Sequence, residues 1–234
     1  MSFEFGKQYG VAAWWGPRAE TPAAIAGRFS KMIDAIRDID PMLRDWKLKG
    51  RGDFEAVRPR MAQYVAAKVS RDDLGKVWEE EGYGFFAYQS RKERNYSIEV
   101  TAGSVYPDCP SWNKIFLNTD TNGAPPPEMI TYRIFKAALL AMVDAWTPQL
   151  CFAYPSELLK SAGGKGAFFL SYWMLYLDPH FAPFVTPPAS AVNERLADGG
   201  LLMTATTDTF RIDNPQHMAV GRDIGAAVAH LAEK

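Results

Sequence analysis

The chain has 234 residues, 47% hydrophobic and 23% charged, with a net charge of −1. This is enough for a real core in one generous domain or two small ones, and it gives no global positive charge for nucleic acid. Cys109 and Cys151 make no disulfide framework and point to a reduced cytosolic setting. The first eight residues lack a signal-peptide run, and no window reaches the roughly 18 apolar residues of a membrane span.

In residues 9–15, Tyr9, Val11, Ala13 and Trp15 alternate with Gly10, Ala12 and Trp14. Both faces are largely apolar, which predicts a strand covered on both sides. Gly16-Pro17-Arg18 cannot continue a ladder, because Pro17 has no N–H. Thr21-Pro22 predicts a capped helix start. Ile25, Phe29, Met32, Ile33, Ile36 and Ile39 then form one apolar stripe, and Asp40-Pro41 stops the helix. Trp46 is expected to fold back over the strand. A basic, glycine-rich loop follows from Lys47 to Asp53, and its Arg51-Gly52-Asp53 tripeptide is read as chance.

Pro59 opens a short predicted helix through Met61, Tyr64, Val65 and Val69. Ser70 is expected to cap another, with Asp72 and Asp73 in its first turn, Leu74, Val77 and Trp78 as its apolar positions, and Glu79-Glu80-Glu81 at its end before Gly82. Residues 83–89 and 96–105 read as two strands of an antiparallel hairpin joined by the charged turn 91–95. Pro107 and Pro110 end that run, and residues 114–118 read as a further strand. Residues 120–127 are a turn and a proline spacer.

Residues 128–146 are predicted as a second major helix with a broad apolar arc, closed by Pro148. Residues 151–154 read as a brief strand. Pro155 and Ser156 start a short helix that ends at Gly163-Gly164. Residues 168–177 read as a strand, 179–188 as a proline-rich connection, 191–196 as one or two helical turns and 201–206 as a strand. Asn214-Pro215 repeats the cap-plus-proline start for a last helix carrying Met218, Ile224, Val228 and Leu231. No repeat or long linker is visible. The pattern predicts a single α+β domain over residues 1–234, a mixed or antiparallel sheet flanked by helices, with the strand order open.

The Trp15-Gly16-Pro17-Arg18-x-Glu20 stretch, its helix, Ile39-Asp40-Pro41 and Trp46 resemble the immunity protein 52 family. Gly199-Gly200-Leu201-Leu202 and Asp213-Asn214-Pro215-x-His217 continue that resemblance. It implies a bacterial protein encoded beside a polymorphic toxin, which it binds and neutralises. Toxins linked to the family include nucleases, among them ones resembling restriction endonucleases. The implied protein is cytoplasmic, uses no cofactor, and contacts neither membrane nor nucleic acid directly; its oligomeric state stays open.

Catalytic constellations do not emerge from the residues. His180, His217 and His230 lack zinc spacing, and the cysteines are far from CxxC. Ala102-Gly103-Ser104-Val105 lacks the second glycine of a nucleophile elbow. Gly163-Gly164-Lys165-Gly166 lacks the hydroxyl residue of a phosphate loop. Around Asp120-x-Asn122-Gly123, the glutamate of a calcium loop is missing. A scattered site on an α/β enzyme of unrecognised family stays the alternative, and an adaptor that carries an effector is a third reading.

An inhibitor of a basic nuclease cleft would offer acidic and aromatic groups. The acidic candidates for toxin binding are Asp72, Asp73, Glu79, Glu80 and Glu81, expected on or beside one helix near Tyr83, Phe85 and Phe86. Arg18 and Glu20, on a loop at a strand end, are the other candidates. The competing reading makes Trp15, Gly16, Pro17, Asp40, Pro41 and Trp46 a structural motif, with Arg18 paired to a nearby carboxylate. The aromatic content of 13% serves a core, a recognition surface, or both.

Overall fold

A computed structural model describes residues 8–91, 94–106, 113–121, 123–161 and 171–233. Within them a ten-stranded sheet runs in the order β3-β2-β4-β5-β6-β1-β7-β8-β10-β9, with every neighbouring pair antiparallel. The fold is α+β.

β1 (Tyr9–Trp15) lies near the middle of this sheet. Its odd-numbered side chains enter one buried cluster, while Ala12 and Trp14 pack into a second on the opposite face. This is the two-sided burial that the alternation predicts. α1 (Pro22–Ile39) starts as expected, Thr21 accepting the Ala24 N–H at 3.2 Å, and stops at an extended Asp40. Its stripe from Ile25 to Ile36 is buried on the first face. Asp40 then caps a 3₁₀ turn (Pro41–Leu43), and buried Trp46 donates its indole N–H to Leu43 O at 2.7 Å.

The Lys47-to-Asp53 loop is a small hairpin of β2 (Lys47–Leu48) and β3 (Gly52–Asp53) at the sheet edge. α2 (Phe54–Val57) and α3 (Met61–Ala66) follow. Val69 lies beyond α3 and bridges to Tyr83. β4 (Tyr83–Tyr88), β5 (Asn95–Ala102) and β6 (Asn113–Asp120) form the expected meander. α4 (Tyr132–Trp146) packs against α1, β1 and β7. β7 (Leu150–Pro155) and α5 (Ser156–Ser161) come next, then β8 (Met174–Leu177), β9 (Val192–Arg195), β10 (Leu201–Thr204) and α6 (Pro215–Val228). Ile224 and Val228 of α6, with Leu231 beyond it, cover β7, β8 and β10 on the second face.

Four expectations are corrected. The helix predicted from Ser70 does not form: residues 70–82 fold as a protruding hairpin-like loop, with only a 3₁₀ turn at Glu79–Glu81. Asp72 Oδ1 accepts the Leu74 and Lys76 N–H groups at 3.0 and 2.8 Å, and Gly75 has φ +80°. That side-chain turn outcompetes the helix. The second major helix begins at Tyr132 instead of 128, because Pro127–Met129 form a 3₁₀ turn and Thr131 is the cap, accepting the Ile134 N–H at 3.3 Å. It ends with Thr147 in the left-handed region. Residues 192–195 are an edge strand, not helical turns, held by β10. The strand expected from 168 is present as Met174–Leu177.

Lys92 and Glu93 of the charged turn, Pro107, Cys109, Pro110, Asn122, Gly163 to Gly166 and the predicted strand start at Phe168 lie outside the described residues.

Candidate functional site

The turn after β1 is built around backbone demands. Gly16 N–H donates to Gln149 Oε1 at 2.9 Å, and Gly16 O accepts from Asn113 Nδ2 at 2.8 Å. Arg18 N–H donates to Ser104 O at 2.9 Å. The chain is thereby fixed to β6 and to the residues after β5, which aims Arg18 at the C-terminal end of α4. The Arg18 guanidinium donates to Trp146 O at 3.0 Å and Thr147 Oγ1 at 3.2 Å, and lies 4.9 Å from the centre of the Trp15 ring. Trp15 in turn packs on Trp146 at 5.5 Å. Arg28 of α1 donates to Ala145 O at 3.0 Å.

Glu20 sits between these two arginines, 3.2 Å from Arg18 and 2.7 Å from Arg28, with its side chain 4% exposed. The cations meet carbonyls that α4 leaves open and the negative end of its dipole. Burial lowers the Arg18 pKa; Glu20 opposes that shift and Arg28 adds to it. The cluster ties β1, α1 and α4 together and leaves the Glu20 carboxylate nothing to offer a partner. Arg28 was not singled out in the sequence. Its only signal there is a basic residue on the polar side of α1.

Asp40, Pro41 and Trp46 form a second internal joint. Asp40 pairs with Arg133 of α4 at 2.7 Å, Arg91 donates to Pro41 O at 3.2 Å, and Trp46 is 3% exposed.

The acidic candidates occupy a different setting. Asp72 and Asp73 lie at the tip of the 70–82 loop, and Glu79 and Glu80 are exposed at its return. Glu81 is half-buried. Ser70 N–H to Gly82 O at 2.9 Å, Trp78 N–H to Ser70 O at 2.9 Å and Asp72 N–H to Lys76 O at 3.0 Å zip the loop. Val105 N–H donates to Glu80 O at 3.0 Å. The segment 104–105 thus lies between the two candidate groups, touching Arg18 through Ser104 and Glu80 through Val105. The structure brings both groups to one end of the sheet, with Glu20 buried, Arg18 partly exposed and the acidic loop presented to solvent.

Sequence reasoning names the apolar residues of this loop but misses that they are exposed. Leu74 is 94% exposed, with Val77 at 40% and Val105 at 39%. A helical reading places Leu74 and Val77 in a core; only the Asp72 turn and Gly75 hint otherwise. Also missed is a cleft of about 470 Å³ at the β4 edge, lined by Lys49, Tyr64, Lys68, Phe86, Glu99 and Thr101. It meets a second hollow at Tyr64, where Arg51 and Arg60 add positive charge.

Cys151 and His217, two groups with catalytic potential, are buried or occupied. Cys151 is fully buried, and desolvation raises its thiol pKa well above the ordinary value. His217 accepts the Arg211 N–H on Nδ1 at 3.1 Å, beside the Asn214 cap. Among the described residues no group of three or more His, Cys, Asp or Glu could hold a metal ion, and no helix is long and apolar enough to cross a membrane.

The family model described as Immunity protein 52 matches residues 7–232. No curated protein is a significant match. A solved structure, Pseudomonas aeruginosa T6SS protein PA0821, is similar in fold, with a TM-score of 0.53 and 12% identity over 94% of this chain and 73% of that one.

Proposed function

The chain belongs to the immunity protein 52 family, and we propose that it binds a cognate bacterial toxin and covers that toxin's active site. The toxin is a nuclease effector, restriction-endonuclease-like, delivered in competition between bacteria. The chain works in the cytoplasm as one domain, without cofactor or turnover of its own, and contacts no nucleic acid. The family match over nearly the whole chain carries this reading. That a neighbour in fold is named a T6SS protein supports delivery of the toxin by a secretion system. The exposed carboxylates Asp73, Glu79 and Glu80 suit a cleft that is basic because it holds a polyanion.

The test expresses the toxic domain encoded beside this gene in the cytoplasm, with and without the chain. Growth should be restored when both are present. A toxin equally lethal in the presence of abundant folded chain overturns the reading.

A further inference from the structure

Five large apolar side chains are exposed among the described residues, and three of them lie on the loop 70–82 or at its base: Leu74 at the tip, Val77 on the return, and Val105, whose N–H donates to Glu80 O at 3.0 Å. Trp78 stands beside them, its ring edge-on to Tyr106 at 5.8 Å. The fold gains nothing from Leu74, which is 94% exposed at the tip of a loop held by main-chain hydrogen bonds. Concentrated apolar exposure of this kind marks an interaction surface. The rim around it is acidic. Residues 70–82 hold Asp72, Asp73, Glu79, Glu80 and Glu81 against Arg71 and Lys76, and Arg71 is turned back on Gly75 O at 2.8 Å.

Resting on the neutralisation reading, we propose that the loop 70–82 is the plug: Leu74 enters an apolar pit inside the toxin's basic cleft, and the carboxylates face the cations that line it. A projecting tip reaches into a cleft as a flat sheet face cannot. The carboxylates add speed and register, and the desolvated leucine adds affinity. The acidic rim repels a nucleic acid. A second copy is the rival occupant, since the basic hollow around Tyr64, with Lys49, Arg51, Arg60 and Lys68, is complementary to the same loop.

The experiment measures binding of the full chain to a catalytically dead toxin domain, with sedimentation of the chain alone. Leu74→Asp should weaken toxin binding by about 30-fold or more. Glu79→Lys with Glu80→Lys should weaken it by about tenfold and slow association. Val192→Asp, at the opposite sheet edge and 47% exposed, serves as the control and should leave binding unchanged. Thermal midpoints should not move, because none of these side chains is in the core. Leu74→Asp with the parent's toxin affinity overturns the proposal, as does Leu74→Asp dissolving a dimer while toxin binding is kept. A parent chain that neither binds nor protects overturns the neutralisation reading itself.

Discussion

Replacing Glu20 by alanine should destabilise the fold by about 3 kcal/mol. Removing one partner of a buried ion pair costs about 3–5 kcal/mol, mostly because a charge is left without compensation. Here two charges are left, Arg18 and Arg28, facing each other across the vacated carboxylate. Two features reduce the cost. The guanidinium side chains are 26% and 32% exposed, so water screens them, and both keep carbonyl acceptors at the end of α4. The low end of the range therefore applies. For a chain of this size each kcal/mol shifts the thermal midpoint by about 2–4 °C, so the loss is about 6–12 °C. Glu20→Gln, which keeps the shape and one acceptor but not the charge, should fall between. Urea unfolding followed by tryptophan fluorescence gives the value directly. A Glu20→Ala change below about 1 kcal/mol would refute the clamp. So would strict additivity with Arg28→Ala in a double-mutant cycle, since residues in contact should couple.

Three further outcomes follow from the packing. Gly200→Ala places a Cβ 2.4 Å from Tyr176 Cε2 and 2.8 Å from Leu177 O, so the β8–β10 pair must open; a loss of about 1–3 kcal/mol in the same urea assay is expected. Tyr9 is buried, donates to Phe210 O at 2.7 Å, and has its pKa raised by burial to about 12. The fold favours the neutral phenol, so this stabilisation is complete below pH 10 and declines as pH rises from 10 towards 12, by a loss on the order of 3 kcal/mol. Tyr9→Phe should cost about 1 kcal/mol at neutral pH and reduce the alkaline slope of the urea midpoint, to which the buried Tyr96, Tyr154 and Tyr176 phenols also contribute. An unchanged slope would exclude Tyr9 as a contributor. In a Cys109→Ser background, Cys151 should react with a thiol reagent only at the rate of unfolding, because its thiol is fully buried and its pKa raised; rapid reaction in native buffer would contradict that burial.

What was readable in the sequence was local. Thr21-Pro22 and Asn214-Pro215 announce helix starts because cap and proline act within a few residues, and both caps are made. The β4–β5 pairing is readable because one short turn sets its register. Residues 70–82 misled because Leu74, Val77 and Trp78 have helical spacing, while the deciding bonds run from one aspartate side chain to two amides. β9 was unreadable for another reason: Val192, Asn193, Glu194 and Arg195 carry no apolar alternation and are extended only because β10 supplies the partner. The carboxylate that one of the two readings pairs with Arg18 is Glu20. That Arg18 also meets the end of α4, 128 positions on, could not be read from spacing.

Several of the residues that carry the family resemblance are spent inside the molecule. Trp15 and Trp46 are each 3% exposed, Glu20 is locked between two arginines, and Gly200 lies against Tyr176. Those contacts set the scaffold and leave little side-chain surface for a partner to recognise. The loop 70–82 has the opposite construction. It is joined to the sheet largely through main chain, by the Val69–Tyr83 bridge and the Ser70–Gly82 bond, and Gly82 holds φ +72° where a Cβ would strike Ala102 O at 2.4 Å. Apart from the Asp72 turn and the glycines Gly75 and Gly82, exposed side chains along it can change without disturbing the core. A surface of that kind can be refitted to a new toxin while the fold is kept, and it leaves no motif behind. Exchanging Leu74, Val77, Glu79 and Glu80 between two family members with different toxins should therefore move the preference with them at unchanged stability, as competition binding against both toxins would measure. Preference that stays with the Trp15–Glu20 turn instead would place recognition in the scaffold.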